Sequence, residues 1–187
     1  MTARGAILTR PGATSRAGEV PAVAAALWDS FPDPAAIEPP GTVDGGDVCE
    51  AGEQFFIGLS HRTNRAGADQ LAAWLAARGY GASVVDIRPL PALLHLKTGL
   101  SWLGGRRLLA TEDLARHEAF QGWDVVPVPR GEEYAANCIL VNSALLVARG
   151  FPTTRSLLGG LGYEIIELDM SEYQKMDGGL SCLSIRW

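Results

Sequence analysis

Three side chains in this sequence have the types needed for nucleophilic chemistry: Cys182 in "DGGLSC", His95 in "LLHLK" and Asp44 in "VDGGDV". A thiolate, not a thiol, is the attacking species, so a reactive cysteine needs a base or a positive neighbour to ionise it. Of the three histidines, His61 lies in the polar turn "SHRTN", His117 on the exposed side of an expected helix, and His95 among apolar neighbours. His95 is therefore the candidate base. Asp44 could hydrogen-bond its imidazole and fix the tautomer, the task of the third member of a triad. Each residue also has an ordinary reading. Free cysteine is among the most buried residue types, a histidine in an apolar run is often a satisfied core residue, and Asp-Gly is a common turn dipeptide. After Cys182, Leu183, Ile185 and Trp187 alternate with Ser184 and Arg186, as in a half-buried strand, so the tail is expected to be docked.

The elements that must position these residues recur along the chain. Four stretches share one order: a short apolar strand, an amphipathic helix, a second strand and a polar motif. The first runs from "GAILTR" through "RAGEVPAVAAALWDS" and a Pro-rich loop, "FPDPAAIEPP", to "VDGGDV". The second pairs "QFFIGL" with "ASVVDI" across "NRAGADQLAAWLAARG" and reaches "LHLKTG"; Leu71, Trp74 and Leu75 share a helical face there and Gly79 can end the helix. The third has "RRLLA", "TEDLARHEAF" with Thr111 as N-cap, "WDVVPV" and "YAANCILVN"; the fourth has "ALLVA", "TTRSLLGGLG", "YEIIEL" and "KMDGGLSC". Strand starts near Gly5, Gln54, Arg106 and Ala144 repeat the fold, not the sequence, at periods typical of repeat architectures. Such units set about a pseudo-symmetry axis would bring their motif ends together. An ordinary open α/β sheet with unrelated turns is the alternative.

With 187 residues, 47% of them hydrophobic, the chain can bury a sizeable core as one soluble domain. Its net charge of −5 and scattered basic residues argue against a nucleic-acid phosphate track. No run of about 18 apolar residues is present, so no membrane partner is expected; with no secretory signal pattern at Met1, the cytoplasm is the expected location. Cys49, Cys138 and Cys182 are far apart and form no C-x-x-C pair, so free thiols are expected rather than disulfides or a zinc site.

In that order, "DGGDV", "SHRTN", "HLK", "AANC" and "DGGLSC" resemble the dimethylarginine dimethylaminohydrolases, members of the guanidine-modifying (pentein) superfamily with the arginine deiminases and amidinotransferases. The resemblance runs from about Gly5 to the C-terminus. It implies an α/β propeller of five strand-helix-strand modules with a central polar site. It implies Cys182 as nucleophile, His95 as general acid/base and Asp44 as its supporting carboxylate. Arg16 in "TSRAGE" and Arg62 in "SHRTN" would hold the substrate carboxylate, a task suited to a guanidinium fork, and backbone near Met176 and Asp177 would receive the substrate amino group. The implied substrate is a small cation, methylated arginine, converted to citrulline with no metal or cofactor.

Two departures from the family pattern matter. Deiminases place an aspartate two residues after the histidine, where this chain has Lys97, which favours a dimethylargininase over a deiminase. Family members also carry a further module ending in a Phe-x-Glu-Asp-like motif before the equivalent of "AILTRPGA", and that motif occurs nowhere in the sequence. Residues 1–187 are therefore expected to form a single N-terminally truncated domain with four of the five modules. By itself it is expected to turn over little substrate, and its unpaired strand edges would favour a homo-oligomer. A relative that binds without turnover is the alternative. "LGGLG" reads as a helix end rather than a dinucleotide loop, and Cys49 and Cys138 as buried hydrophobes.

Overall fold

Three of the four polar motifs lead into a strand. In the computed structural model, which describes residues 1–183, β3 (Val48–Ala51), β6 (Leu100–Gly104) and β9 (Ile139–Val141) follow directly on "VDGGD", "LHLKTG" and "AANC". Each pairs antiparallel with the apolar strand that comes next: β4 (Gln54–Leu59), β7 (Arg107–Ala110) and β10 (Ala144–Ala148). Each of those pairs in parallel with a strand beyond a helical crossover: β5 (Gly81–Asp86), β8 (Asp124–Pro127) and β11 (Glu164–Leu168). The result is three three-stranded sheets of one design. A fourth, smaller pairing joins β1 (Ile7–Leu8) in parallel to β2 (Ala35–Ala36). The strand β2 lies inside the stretch expected to be a Pro-rich loop, because "PAAI" supplies the two residues that complete this parallel pair.

The crossovers are α1 (Val20–Leu27), α2 (Arg65–Ala76), α4 (Glu112–Ala115) and α5 (Pro152–Gly160), with two further turns, α3 (Leu96–Gly99) and α6 (Ser171–Gln174). In α2 the Asn64 side chain caps by accepting from Gly67 N, Leu71 and Leu75 are buried, and Gly79 beyond it takes φ +77°, which glycine adopts without strain. Thr111 stands at the N-cap of α4, but its hydroxyl makes no capping bond. This helix ends at Ala115, so His117 is not on its exposed face; it opens the next turn, accepting from Ala119 N through Nδ1. The stretch "LGGLG" ends α5 as expected, with Gly160 last in the helix and Gly162 at φ +91°.

Three of the four apolar clusters of the described residues organise the sheets. One, around Phe56, Leu96, Leu100 and Leu108, joins the β3–β5 and β6–β8 sheets; another packs Ile57, Leu71 and Leu75 under α2; the third joins the β6–β8 and β9–β11 sheets through Leu109, Leu145 and Leu158. The inner strands β3, β6 and β9 are neighbours in that order. The segments that precede them, and carry the motifs, therefore converge.

Candidate active site

His95 opens α3 at the N-cap position in extended backbone (φ −137°, ψ 161°), which turns its ring toward the segment before β3. There His95 Nε2 lies 3.0 Å from Asp44 Oδ2, the imidazole 19% exposed and the carboxylate 4%. The second carboxylate oxygen accepts from Gly12 N at 2.9 Å. The bond from His95, supported by the Gly12 amide, holds the Asp44 carboxyl below the usual carboxylate range against the opposing effect of burial. The ring rests on Gly46: a Cβ there would stand 2.6 Å from His95 Cγ.

A residue not singled out from the sequence anchors this pair. Asp47, fully buried, accepts from Ser60 Oγ at 2.7 Å, Thr63 Oγ1 at 2.6 Å and Leu96 N at 3.0 Å. Thr63 Oγ1 in turn accepts from Asp44 N at 3.0 Å. One buried carboxylate thus ties the "SHRTN" turn to the backbone on both sides of the Asp44–His95 contact. The second acid of "DGGDV" and the hydroxyls three residues apart in "SHRT" were its sequence signal.

Cys182 lies in the turn Leu180–Leu183, where its amide donates to Gly179 O at 3.0 Å. Leu180 is buried, yet Cys182 is exposed and Leu183 is 53% exposed. The expected half-buried strand is thus not present through Leu183, because a helical turn replaces the alternation; Ser184, Ile185, Arg186 and Trp187 lie outside the described residues. Cys182 and His95 line one cavity of about 600 Å³ together with Tyr134, Asn137 and Asp177, facing an apolar wall that includes Pro89 and Leu93. Asp44 stands behind His95. Asp177 reaches the cavity from a left-handed turn (φ +55°), whereas the Met176 side chain is 84% exposed.

The two arginines are less tightly placed. Arg16 pairs with Glu19 at 2.8 Å on the surface, close enough to Asp44 and Cys182 that both charges raise its pKa after the dominant effect of Glu19. The Arg62 backbone packs against Gly12, where a Cβ would meet the Arg62 carbonyl at 2.1 Å, so its segment adjoins Asp44. Neither arginine is among the residues lining the cavity. Cys49 and Cys138 are buried as expected, and burial pushes the Cys138 thiol up to about 12. Among the described residues no group of three or more His, Cys, Asp or Glu is gathered as a metal would require, and no helix is long and apolar enough to cross a membrane.

No protein-family model matches the chain. It is 45% identical over 187 residues to the N(G),N(G)-dimethylarginine dimethylaminohydrolase of Pseudomonas aeruginosa, spanning 100% of this chain and 72% of that protein. The crystal structure of a cysteine-to-serine mutant of the Pseudomonas aeruginosa enzyme with citrulline superposes with a TM-score of 0.93 at 44% identity, over 100% of this chain and 72% of that one. A dimethylarginine dimethylaminohydrolase with a histidine-to-glycine change, as its adduct with S-methyl-L-thiocitrulline, gives the same TM-score and identity over 100% and 73%. The scaffold of repeated α/β units is that of the guanidine-modifying enzymes. Within them, this chain belongs to the dimethylarginine dimethylaminohydrolase family.

Proposed function

We propose that the chain hydrolyses Nω-methylated arginine to citrulline and a methylamine through a covalent thiouronium on Cys182. The observation that carries the residue roles is the contact of Asp44 with His95, whose ring lines the cavity that also contains Cys182. In this reading the Cys182 thiolate attacks the guanidinium carbon, a centre suited to a soft, polarisable sulfur. The adduct collapses by breaking the carbon–nitrogen bond to the methylated nitrogen, and the ring nitrogen of His95 not engaged by Asp44 gives the leaving amine its proton. Water then adds to the thiouronium carbon as His95 takes one of its protons, the carbon–sulfur bond breaks as the remaining hydroxyl proton passes to solvent, and citrulline leaves with the thiolate restored. The cycle consumes one water and combines nucleophilic with general acid–base catalysis.

Arg16 and Arg62 supply the fork for the substrate carboxylate, Arg16 exchanging Glu19 for the ligand, and backbone at Met176 and Asp177 receives the amino group. Lys97, in the position of a deiminase aspartate, selects methylated arginine over arginine. The sheets form a propeller about a pseudo-axis, a reading supported by three sheets of one design whose inner strands lie side by side, and a cytoplasmic setting keeps the thiols reduced.

The test is citrulline release from dimethylarginine and from arginine, with mass spectrometry of the protein during turnover. Faster release from dimethylarginine, a transient adduct on Cys182, and loss of both in Cys182→Ser are expected. Undiminished release in Cys182→Ser would overturn the mechanism, and equal or faster reaction of arginine would make the chain a deiminase.

A further inference from the structure

Each inner strand is preceded by a polar residue at the shared centre: Asp44 before β3, His95 before β6, and Asn137 before β9. The first two form the supporting carboxylate and the general acid/base of the proposed mechanism; the third has no part in it. Asn137 is only 6% exposed and lines the same cavity as His95 and Cys182. Its Nδ2 donates to Lys97 O and to Ser181 Oγ, both at 3.0 Å, and its Oδ1 accepts from Ser181 N at 2.9 Å. These partners leave no freedom in the amide's orientation: Nδ2 faces a carbonyl, which can only accept, and Oδ1 faces an N–H, which can only donate. Lys97 is two residues after His95, and Ser181 immediately precedes Cys182. One amide therefore spans the backbone of the base and the backbone of the nucleophile.

The amide is itself held rigidly. Ser101 Oγ on β6 lies 2.6 Å from Ala136 O and 3.0 Å from Cys138 O, and accepts from Cys138 N at 3.0 Å, so both neighbours of Asn137 are fixed to the buried face of β6. On the opposite side Gly179 comes so close that a Cβ there would stand 2.5 Å from Nδ2. Close packing on one side and a double hydrogen bond on the other give the turn Leu180–Leu183 a single seat.

From this geometry we infer that Asn137 is a positioning residue for the reaction, setting the distance and direction of Cys182 relative to His95. The inference rests on the mechanism proposed above. Asn137 touches neither reacting atom, so its effect is on approach. A displacement of about 1 Å can cost roughly a hundredfold in rate, whereas the substrate carboxylate and amino group are held elsewhere.

The experiment compares the full chain with Asn137→Ala and with Asn137→Asp, which is isosteric but sets an acceptor against the Lys97 carbonyl. For both variants kcat with dimethylarginine should fall about tenfold to a hundredfold with KM little changed. Alkylation of Cys182 by a haloacetamidine, whose amidinium must be oriented, should slow in proportion, while alkylation by iodoacetamide, which needs no orientation, should not. Wild-type values of both kcat and the alkylation ratio, or a loss carried wholly by KM, would overturn the assignment. Should Asn137→Ala not fold, Asn137→Asp decides alone. If neither the unaltered chain nor the chain extended by a family-like N-terminal module releases citrulline, the proposed function fails, but the alkylation ratio still decides the role of Asn137.

Discussion

Asp44 and His95 stabilise each other, and that exchange has a pH signature. The Asp44 carboxyl is held below its ordinary range chiefly by the bond from His95, so its folded pKa is lower than its unfolded value of about 3.9. Its ionised form then contributes stability at all pH values above the unfolded pKa, and the contribution is lost as pH falls through the depressed folded value. Asp44→Asn removes the charge in both states. The difference in unfolding free energy between wild type and Asp44→Asn, measured in urea, should close as pH falls below about 4. A gap that persists into strong acid would show that the Asp44 contact is not charge-assisted. The same variant should lower kcat by about 10²–10⁴-fold if His95 is the general acid/base, read by citrulline release at pH 7. At this scale Cys182, His95 and Asp44 were legible as residue types, because nucleophile, base and acid each have a recognisable chemistry. Asn137 was not, and Asp47 showed only as the second acid of "DGGDV", since the role of a buried Asp or Asn is set by partners distant in the sequence.

Short segments, not helices or long strands, deliver these residues. The segment Asp44–Asp47 bends so that alternate residues do different work: Asp44 faces the His95 ring, Gly46 lies under it, and Asp47 is buried beneath. The two glycines between the acids are therefore unequal. A methyl on Gly46 would stand 2.6 Å from His95 Cγ, whereas one on Gly45 would meet nothing within 4 Å. Gly46→Ala should displace the imidazole and reduce kcat by about a hundredfold; Gly45→Ala should leave it near wild type. Steady-state kinetics of the pair checks this, and equal effects would count against the observed ring position. The outer strands of the three larger sheets and their helical crossovers were visible from apolar runs and Gly79, whereas β2 was read as part of a loop. The strands β3, β6 and β9 were not, because "VCEA", "LSWLG" and "ILV" are short and continue directly from motifs rich in glycine and polar residues. Once those strands are seen, the short segment before each one holds the site, and Asn137 stands in such a segment as Asp44 and His95 do.

Across the whole molecule, the site depends on some parts of the core more than others. Leu96 and Leu158 are both fully buried leucines, in different clusters. Leu96 follows His95, its amide is held by Asp47, and its side chain fills the space between the β3–β5 and β6–β8 sheets. Leu158 lies on α5, none of whose residues line the cavity. Truncating either to alanine removes similar apolar volume and should cost about 2–5 kcal/mol, a large share of the roughly 5–15 kcal/mol of a typical domain. Their functional effects should differ. Leu96→Ala leaves a void directly beneath the histidine-bearing turn, so His95 can settle inward and the acid–base pair loses its alignment with Cys182. Leu158→Ala opens a void under α5, in the cluster that also holds Ala136 and Cys138; the Ser101 Oγ bonds to the backbone of those two residues keep the Asn137 segment in place, and Asp44 and His95 lie on other segments. Below both unfolding transitions, kcat per folded molecule should therefore fall about tenfold or more in Leu96→Ala and stay near wild type in Leu158→Ala. Denaturant unfolding gives the stability and citrulline release the rate. Equal losses of kcat would mean that the sheets transmit strain as one body, and that the site depends on the entire core rather than on the turn that follows His95.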